Sequence, residues 1–195
     1  NIKEKKNVVL DLDNTLICAE AIEDFPFNKE GVKEKSLKYA VHNLDYIYIV
    51  FERPGLQEFL DRLFDEYNVS VWTAATKEYA LFIIKNIICP VGKRRKRKLK
   101  WIFWDYHGEI SYKKYNHPKN LKLLWNDFKL DNFYSDNTII IDDYNKVIKK
   151  QKDNSIIVKP AFHILDSNKN FKDKKDIFLK DIFLKIEKKF KHLKK

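Results

Sequence analysis

The 195-residue sequence has little of several features that define special classes of protein. Its only two cysteines, Cys18 and Cys89, both lie in apolar stretches; they are too few for a disulfide scaffold and predict buried thiols in a reducing compartment. No stretch approaches the about 20 uncharged apolar residues that a membrane-spanning helix needs. The start of the chain, from Asn1 to Lys6, is polar and has no signal-peptide pattern. A membrane protein, a collagen and a coiled coil are therefore excluded, and we expect an intracellular protein of the nucleus or cytoplasm.

The sequence does have the apolar content of a folded domain. Hydrophobic residues make up 44% of it and aromatic residues 14%, which is enough to fill a core. The length suits one domain of ordinary size, and neither an internal repeat nor a low-complexity linker divides it. We therefore expect a single domain over residues 1–195, most simply a monomer.

Positive charge is concentrated in two segments. The net charge is +11, yet seven of the eight residues from Lys93 to Lys100 are basic, and residues 168–195 carry eleven lysines. The rest of the chain is mildly acidic. These patterns predict a basic insert at 93–100 and a basic helix at 173–195. The insert is interpreted as a nuclear-localisation signal or a polyanion or nucleic-acid contact, with a solvated loop as the commoner alternative.

Short apolar runs alternate with amphipathic segments along the chain. Buried strands are predicted at residues 8–10, 69–72, 99–105, 138–141 and 155–158, and a β-hairpin at 36–51. Helices are predicted after Pro54 and at residues 80–88, 118–128 and 179–193. Strands separated by helices imply an α/β fold with a central, mainly parallel sheet flanked by helices.

Polar residues follow three of the predicted strands. They are Asp11 with Asp13, Thr73, and Asp142 with Asp143. The carboxyl ends of parallel strands share one edge of a sheet, so we expect these side chains to converge there. Four carboxylates in one crevice repel one another, and oxygen-only ligands favour Mg²⁺ as the cation that balances them.

Four motifs, in order, resemble those of the haloacid-dehalogenase (HAD) superfamily. They are Asp11-Leu12-Asp13-Asn14-Thr15, Val71-Trp72-Thr73-Ala74-Ala75, Lys119-Asn120-Leu121 and Ile140-Ile141-Asp142-Asp143. The hairpin and Arg53-Pro54-Gly55 are similar to the branch that contains the RNA polymerase II C-terminal-domain (CTD) phosphatases and the NLI-interacting-factor-like phosphatases. The resemblance implies a Rossmann-like HAD core with small β-hairpin insertions and no large cap.

The resemblance also implies roles for individual residues. Asp11 would be the nucleophile that forms an aspartyl-phosphate, and Asp13 the general acid and base. Mg²⁺ would be held by Asp11, the Asp13 carbonyl and Asp143, with Asp142 close by. Thr73 and Lys119 would bind the phosphate oxygens, and Thr15 would brace the first loop.

Each of these residues also has a structural alternative. Asp13 could cap a turn, Thr73 could bond locally, and Asp142-Asp143 could start a helix. Lys113, Lys114 and Lys122 compete with Lys119 for the phosphate-binding role. Arg53 either binds substrate or, as we favour, pairs with an acid such as Asp61 or Glu58. The aromatic residues of the next segment, which form either a peptide-binding wall or core, are Trp101, Phe103, Trp104 and Tyr106.

The expected function is that of a Mg²⁺-dependent phosphatase acting on phosphoserine and phosphothreonine. Without a large cap the site is open, which suits a phosphorylated protein or an extended peptide such as the polymerase tail. One alternative keeps the chemistry but takes nucleic-acid ends as substrate, on the strength of the basic segments. Another is a non-catalytic binding module with the HAD fold.

Overall fold

The computed structural model describes residues 4–90, 92, 97–172 and 175–193. Its strands, numbered in chain order, are β1 Asn7–Leu10, β2 Ile17–Ala21, β3 Val41–Leu44, β4 Tyr48–Glu52, β5 Asn68–Trp72, β6 Ile102–Phe103, β7 Thr138–Asp142 and β8 Ser155–Ile157. Its α-helices are α1 Val32–Ser36, α2 Leu56–Glu66, α3 Lys77–Ile83, α4 Asp105–Tyr115, α5 Asn145–Lys149 and α6 Phe178–His192. Two π-helical segments, Ile84–Ile88 and Leu123–Asp127, follow α3 and precede β7.

A five-stranded sheet forms the centre of the fold, in the order β6-β5-β1-β7-β8. All four pairings in it are parallel. Strand β1 lies in the middle, and every residue of β1 and β7 is buried. Continuous burial on both faces explains the apolar runs Val8–Leu10 and Ile139–Ile141 inside these strands, as the sequence predicted.

Two hydrophobic layers cover the two faces of this sheet. Val8 and Leu10 of β1 pack in one layer, which also takes buried residues from α2, α3 and α6. Val9, between them in sequence, faces the other layer, which takes residues from α5 and the Leu123–Asp127 segment. Alternate residues of a strand point to opposite faces, so β1 anchors both layers and fixes the loop that follows it.

A second, antiparallel sheet has the order β2-β4-β3. Its β3–β4 turn has positive φ angles at Asp45 (47°) and Tyr46 (59°), the backbone geometry that tight hairpins require. The Arg53 N–H donates to the Leu16 carbonyl at 2.9 Å, which ties the end of β4 to the start of β2. This small sheet is the predicted β-hairpin insertion with one further strand, β2, added to it.

Three local predictions need correction. The predicted strand at 99–105 contains only β6, because Asp105 already begins α4. The predicted helix at 118–128 begins with a turn and becomes helical only near Leu123. The predicted hairpin at 36–51 starts at Val41, since Ser36 ends α1. Helix α4 was not predicted, because Ser111 is its one buried residue and it has no apolar stripe.

In the part of the chain that the structure describes, every helix is too short or too polar to cross a bilayer. Both cysteines are free thiols, with Cys18 buried and Cys89 half-buried.

Candidate active site

The predicted site residues meet at the carboxyl edge of the central sheet. Asp11 directly follows β1, Thr73 follows β5, and Asp142 is the last residue of β7. The register places Leu10 beside Val71 on one side and beside Ile141 on the other, so the three side chains leave the sheet at one level. A cavity of about 880 Å³ opens there; among its lining residues are Asp11, Asp13, Thr73, Lys119, Asp142 and Asp143.

Asp11 is held rigidly in the wall of this cavity. Its backbone N–H donates to the Ile141 carbonyl at 3.0 Å, and its side chain is buried. Thr15 Oγ1 donates to Asp11 Oδ2 at 2.9 Å, and Lys119 Nζ donates to Asp11 Oδ1 at 2.6 Å. Because both carboxylate oxygens accept a hydrogen bond, the Asp11 side chain is fixed before any ligand binds.

Lys119 reaches the site from the loop after α4. Its ammonium group donates to Asp11 and also to Asp142 Oδ2, at 2.8 Å. Burial alone would lower the pKa of Lys119, but the two carboxylates outweigh it and raise that pKa above its usual range. The lysine is therefore a fixed positive charge. Among the four competing lysines it is the one that contacts Asp11 and Asp142. Lys113 lines the cavity, Lys114 pairs with Asp127, and Lys122 is exposed.

Gln151, which sequence reasoning missed, positions Lys119. Its Nε2 donates to the Lys119 carbonyl at 2.8 Å, and its Oε1 accepts the Leu121 N–H at 3.0 Å. This pair of hydrogen bonds fixes the backbone on both sides of residue 120. A glutamine after a short helix carries no recognisable signal in a single sequence, so only the structure reveals it.

Asp13 lies beside Asp11 and has a partner that the sequence did not indicate. Tyr79 of α3 donates its hydroxyl to Asp13 Oδ1 at 2.5 Å. Burial, and to a lesser extent the negative charge of Asp11, raise the pKa of Asp13 to about 6, although the Tyr79 hydrogen bond acts in the opposite direction. A carboxyl group with this pKa can both donate and accept a proton near neutral pH.

Asp142 and Asp143 complete a cluster of carboxylates. Oxygen atoms of Asp11, Asp142 and Asp143 all lie within 4.8 Å of one another. The Tyr144 N–H donates to Asp142 Oδ1 at 2.8 Å, so Asp142 is held by donors on both oxygens. Burial first, and then the charge of Asp11, raise the pKa of Asp143. Three carboxylate oxygens this close, with Lys119 as the one lysine paired with them among the described residues, fit a hard divalent cation such as Mg²⁺.

The Thr73 hydroxyl can form a hydrogen bond within its own loop and another with a ligand. Its Oγ1 accepts the Ala75 N–H at 3.1 Å, which is the local hydrogen bond that the structural alternative anticipated. A hydroxyl that accepts from the backbone still has its own proton to donate. Thr73 lines the cavity that contains Asp11, so that proton can point to a bound oxygen.

Arg53 does not line the cavity, and its predicted partners are wrong. The guanidinium is buried and pairs with Asp176 at 2.9 Å rather than with Asp61 or Glu58. It also donates to the carbonyls of Thr15 at 3.0 Å and Pro160 at 2.8 Å. Through these contacts Arg53 supports the loop that carries Thr15, and the structural role that we favour for it stays a prediction.

Asp61 is bound instead by Arg97, a residue of the basic insert. The buried Arg97 guanidinium donates to Asp61 Oδ1 and to the carbonyls of Gln57 and Ile88. Residues 93–96 of the insert lie outside the described residues. The solvated-loop alternative is thus wrong for Arg97, which anchors the insert to α2.

The aromatic segment after the insert divides between core and surface. Phe103 is buried and Trp101 packs against the same hydrophobic layer, as expected for core residues. Tyr106 is 58% exposed and is not among the residues that line the cavity.

Comparison with known proteins shows which family this chain resembles. The family model described as NLI interacting factor-like phosphatase matches residues 6–194. A CTD phosphatase-like protein of Invertebrate iridescent virus 6 is 42% identical over 180 residues, which cover 91% of this chain and 96% of the viral protein. Its counterpart in Invertebrate iridescent virus 3 is 38% identical over 170 residues, covering 86% and 90% respectively.

Solved structures show the same fold. The fission yeast RNA polymerase II CTD phosphatase Fcp1, bound to beryllium fluoride, matches with a TM-score of 0.59 at 22% identity. The match covers 97% of this chain and 51% of the Fcp1 chain, so this chain spans about half the length of that protein. The expected Rossmann-like HAD core is confirmed by this likeness and by the parallel sheet.

Proposed function

The chain belongs to the NLI-interacting-factor-like phosphatases, and on that premise we propose that it is a Mg²⁺-dependent phosphatase of phosphoserine and phosphothreonine monoesters that acts through an aspartyl-phosphate at Asp11. The observation that carries this proposal is the environment of Asp11. It lies at the end of the central strand, is fixed by Thr15 and Lys119, and has the oxygens of Asp142 and Asp143 close by.

Asp11 and Asp13 perform the two steps of the proposed reaction. A carboxylate oxygen of Asp11 attacks phosphorus, while the bond from phosphorus to the serine or threonine oxygen breaks. Asp13, protonated at this stage, donates its proton to the leaving oxygen. In the second step Asp13 accepts a proton from a water molecule as that water attacks phosphorus. The bond between Asp11 and phosphorus then breaks and inorganic phosphate is released.

Lys119 and Thr73 bind the phosphoryl group in this scheme. Lys119 is a permanent cation, and Thr73 contributes the proton of its hydroxyl. Both would donate to oxygens on which negative charge is concentrated during transfer. Tyr79 holds Asp13 beside Asp11, and Gln151 holds the backbone of Lys119.

Asp11, Asp143 and the backbone carbonyl of Asp13 would hold Mg²⁺, with Asp142 adjacent. When bound, the metal neutralises negative charge, so that one anion can approach another. Asp142 also orients Lys119, because its Oδ2 accepts from Lys119 and its Oδ1 accepts the Tyr144 N–H, and each oxygen keeps a further lone pair that could face the metal.

The substrate we propose is a phosphorylated protein or an extended peptide, such as one of the polymerase-tail type. The open cavity and the small hairpin sheet in place of a large cap support this choice. We further propose that residues 1–195 act as a single domain and as a monomer, in the nucleus or cytoplasm. The free thiols of Cys18 and Cys89 support a reducing compartment. A polyanion or nucleic-acid contact through residues 93–100 stays a prediction.

Phosphate release from an aryl phosphate, a phosphoserine peptide and a 3′-phosphorylated oligonucleotide tests the proposal, with Mg²⁺ and after its removal by a chelator. We expect Mg²⁺-dependent release and faster turnover of the peptide than of the oligonucleotide. The Asp11→Asn variant should lose turnover yet remain folded, whereas the control Asp136→Asn, at an exposed position, should retain it.

Three results would contradict the proposal. Retention of a tenth of the wild-type rate by Asp11→Asn would exclude covalent catalysis by that residue. Faster turnover of the oligonucleotide by a wide margin would favour a phosphatase of nucleic-acid ends. Absence of any Mg²⁺-dependent release from the wild-type protein would favour the non-catalytic binding module.

A further inference from the structure

The cavity extends well beyond the phosphate-binding end. Its volume of about 880 Å³ lies in the upper part of the range for sites that enclose a whole small ligand. Asp11, Thr73 and Lys119 line the part where the phosphate is proposed to bind, and one face of α4 lines another part. The chemistry of the proposed reaction uses none of the residues on that face.

The α4 face is a regular helical stripe. Asp105, Gly108, Glu109, Tyr112 and Lys113 all line the cavity, at the spacing of i, i+3, i+4, i+7 and i+8. This spacing places five residues on the same side of a helix. The residues by which α4 packs on the protein, the buried Ser111 and the half-buried Ile110 and Tyr115, lie outside the stripe, which is left to face the cavity.

Helix α4 is nevertheless fixed relative to the catalytic lysine. Ser111 Oγ donates to the His117 carbonyl at 2.7 Å and accepts the Asn120 N–H at 2.8 Å. These two bonds span the loop that carries Lys119. The stripe and the phosphate-binding end therefore form one rigid surface.

Gly108, in the middle of the stripe, is the informative residue. Glycine inside a helix is less stable than alanine, and a Cβ at Gly108 would meet its nearest neighbour, the Pro118 carbonyl oxygen, at an ordinary 3.5 Å. Packing therefore does not require glycine at this position. What the missing side chain provides is room in the cavity beside Pro118, which also lines it.

The residues around Gly108 define what would fit there. Tyr112, 60% exposed, and Tyr144, 47% exposed, present aromatic rings to the cavity. Asp105 and Glu109 add two negative charges on the first turns of α4, against the single positive charge of Lys113 at its other end. An apolar side chain suits the rings, and a basic side chain suits the carboxylates.

We propose that the α4 stripe is a specificity-determining surface, which binds the peptide segment next to the phosphorylated residue. An apolar residue of that peptide lies over Gly108 against Tyr112, and a basic residue lies near Glu109 and Asp105. The inference rests on the proposed function, since it requires a phosphopeptide with its phosphate at Asp11. It adds which substrate residues the site prefers beside the phosphorylated residue.

The test compares kcat/KM for phosphoserine peptides with kcat/KM for an aryl phosphate, which is too small to reach the stripe. Peptides carry lysine, glutamine or glutamate two positions before or after the phosphoserine. The wild-type protein should prefer lysine over glutamate by about tenfold, as expected for one favourable charge contact in a partly enclosed site. The Glu109→Lys variant should reverse that order.

Gly108→Ala and Tyr112→Ala probe the apolar part of the stripe. Each should lower the ratio of peptide to aryl-phosphate kcat/KM by about tenfold, and Gly108→Ala should raise the melting temperature by about 2 °C because it strengthens α4. Tyr106→Ala is the matched control, since Tyr106 is an exposed tyrosine of the same helix that does not line the cavity. Its ratio should stay at the wild-type value.

The outcomes separate this inference from the function on which it rests. If the wild-type protein hydrolyses phosphopeptides but the three stripe variants keep the wild-type ratio and charge preference, the inference alone is overturned. Hydrolysis of the aryl phosphate without hydrolysis of any phosphopeptide overturns the proposed substrate class and the inference together. A lower ratio in Tyr106→Ala equal to that in Tyr112→Ala also overturns the inference, because the effect would then not come from the cavity.

Discussion

Replacing Arg53 with methionine is expected to lower the free energy of unfolding by about 3–5 kcal/mol, the cost of breaking a buried ion pair from one side. The Arg53 side chain has no exposed surface, and that of Asp176 is 12% exposed. Methionine keeps the apolar stem of the side chain but loses the guanidinium, which lies over the rings of Phe162 and Phe178. With the guanidinium it loses the bonds to Asp176, at 2.9 Å, and to the carbonyls of Thr15 and Pro160, at 3.0 and 2.8 Å.

The exposed ion pair between Arg62 and Glu66 provides a control within the same protein. Its N–O distance is 2.7 Å, shorter than that of the Arg53–Asp176 pair, but the two side chains are 52% and 40% exposed. Water screens such a pair, so Arg62→Met should cost below about 1 kcal/mol. The comparison therefore tests burial, and not distance, as the source of the stabilisation.

Urea denaturation, followed by tryptophan fluorescence and by circular dichroism, measures both costs. Arg53→Lys retains the charge but not the planar fork, so it should fall between the wild-type protein and Arg53→Met. Asp176→Asn and the double variant complete a thermodynamic cycle, in which the coupling energy should exceed about 1 kcal/mol. A cost for Arg53→Met no larger than that for Arg62→Met would refute the reasoning.

Three further predictions concern the site and its neighbourhood. Lys119→Met should lower kcat/KM for an aryl phosphate by about 100-fold or more, because the phosphoryl group loses one charged donor. Steady-state kinetics measure this loss, and a loss below about threefold would contradict the role of Lys119. Tyr79→Phe removes a hydrogen bond that lowers the pKa of Asp13, so that pKa should rise further above about 6, and the step that needs ionised Asp13 should require higher pH. The acid limb of the pH profile of kcat should therefore move to higher pH, and an unchanged or lower midpoint would contradict the contact. Burial raises the pKa of the Cys18 thiol to about 12, so Cys18 should react with a disulfide reagent at about pH 8 only after the protein unfolds. Mass spectrometry locates the label, and rapid labelling of Cys18 in the native protein would contradict this prediction.

The convergence of the carboxylates could be expected from the sequence for a simple physical reason. A run of consecutive apolar residues, such as Val8–Leu10 in β1 and Ile139–Ile141 in β7, must be buried on both faces, which restricts it to an inner strand of a covered parallel sheet. The polar residue that ends such a run then has to lie at the carboxyl edge. Asp11, Thr73 and Asp142 were placed in this way, without knowledge of any contact between them.

The partners of these residues could not be expected in the same way. Tyr79 and Asp13 are 66 residues apart, and their hydrogen bond depends on how α3 packs beside the first loop. Arg53 had acidic residues close to it in sequence but pairs with Asp176, because the segment before α6 returns to the end of β4. Asp61, one of the expected partners, is occupied by Arg97.

By itself, the sequence determined the parallel sheet and the edge at which its polar residues gather. An apolar run must be buried wherever it occurs, and few arrangements of strands and helices bury it on both faces. Only the tertiary structure decided which lysine reaches Asp11, what supports Asp13, and that α4 faces the cavity with a polar stripe. Those contacts join residues that are distant along the chain, and hydrogen bonds leave no periodic pattern in a sequence. Their geometry exists only after the hydrophobic layers have brought the elements together.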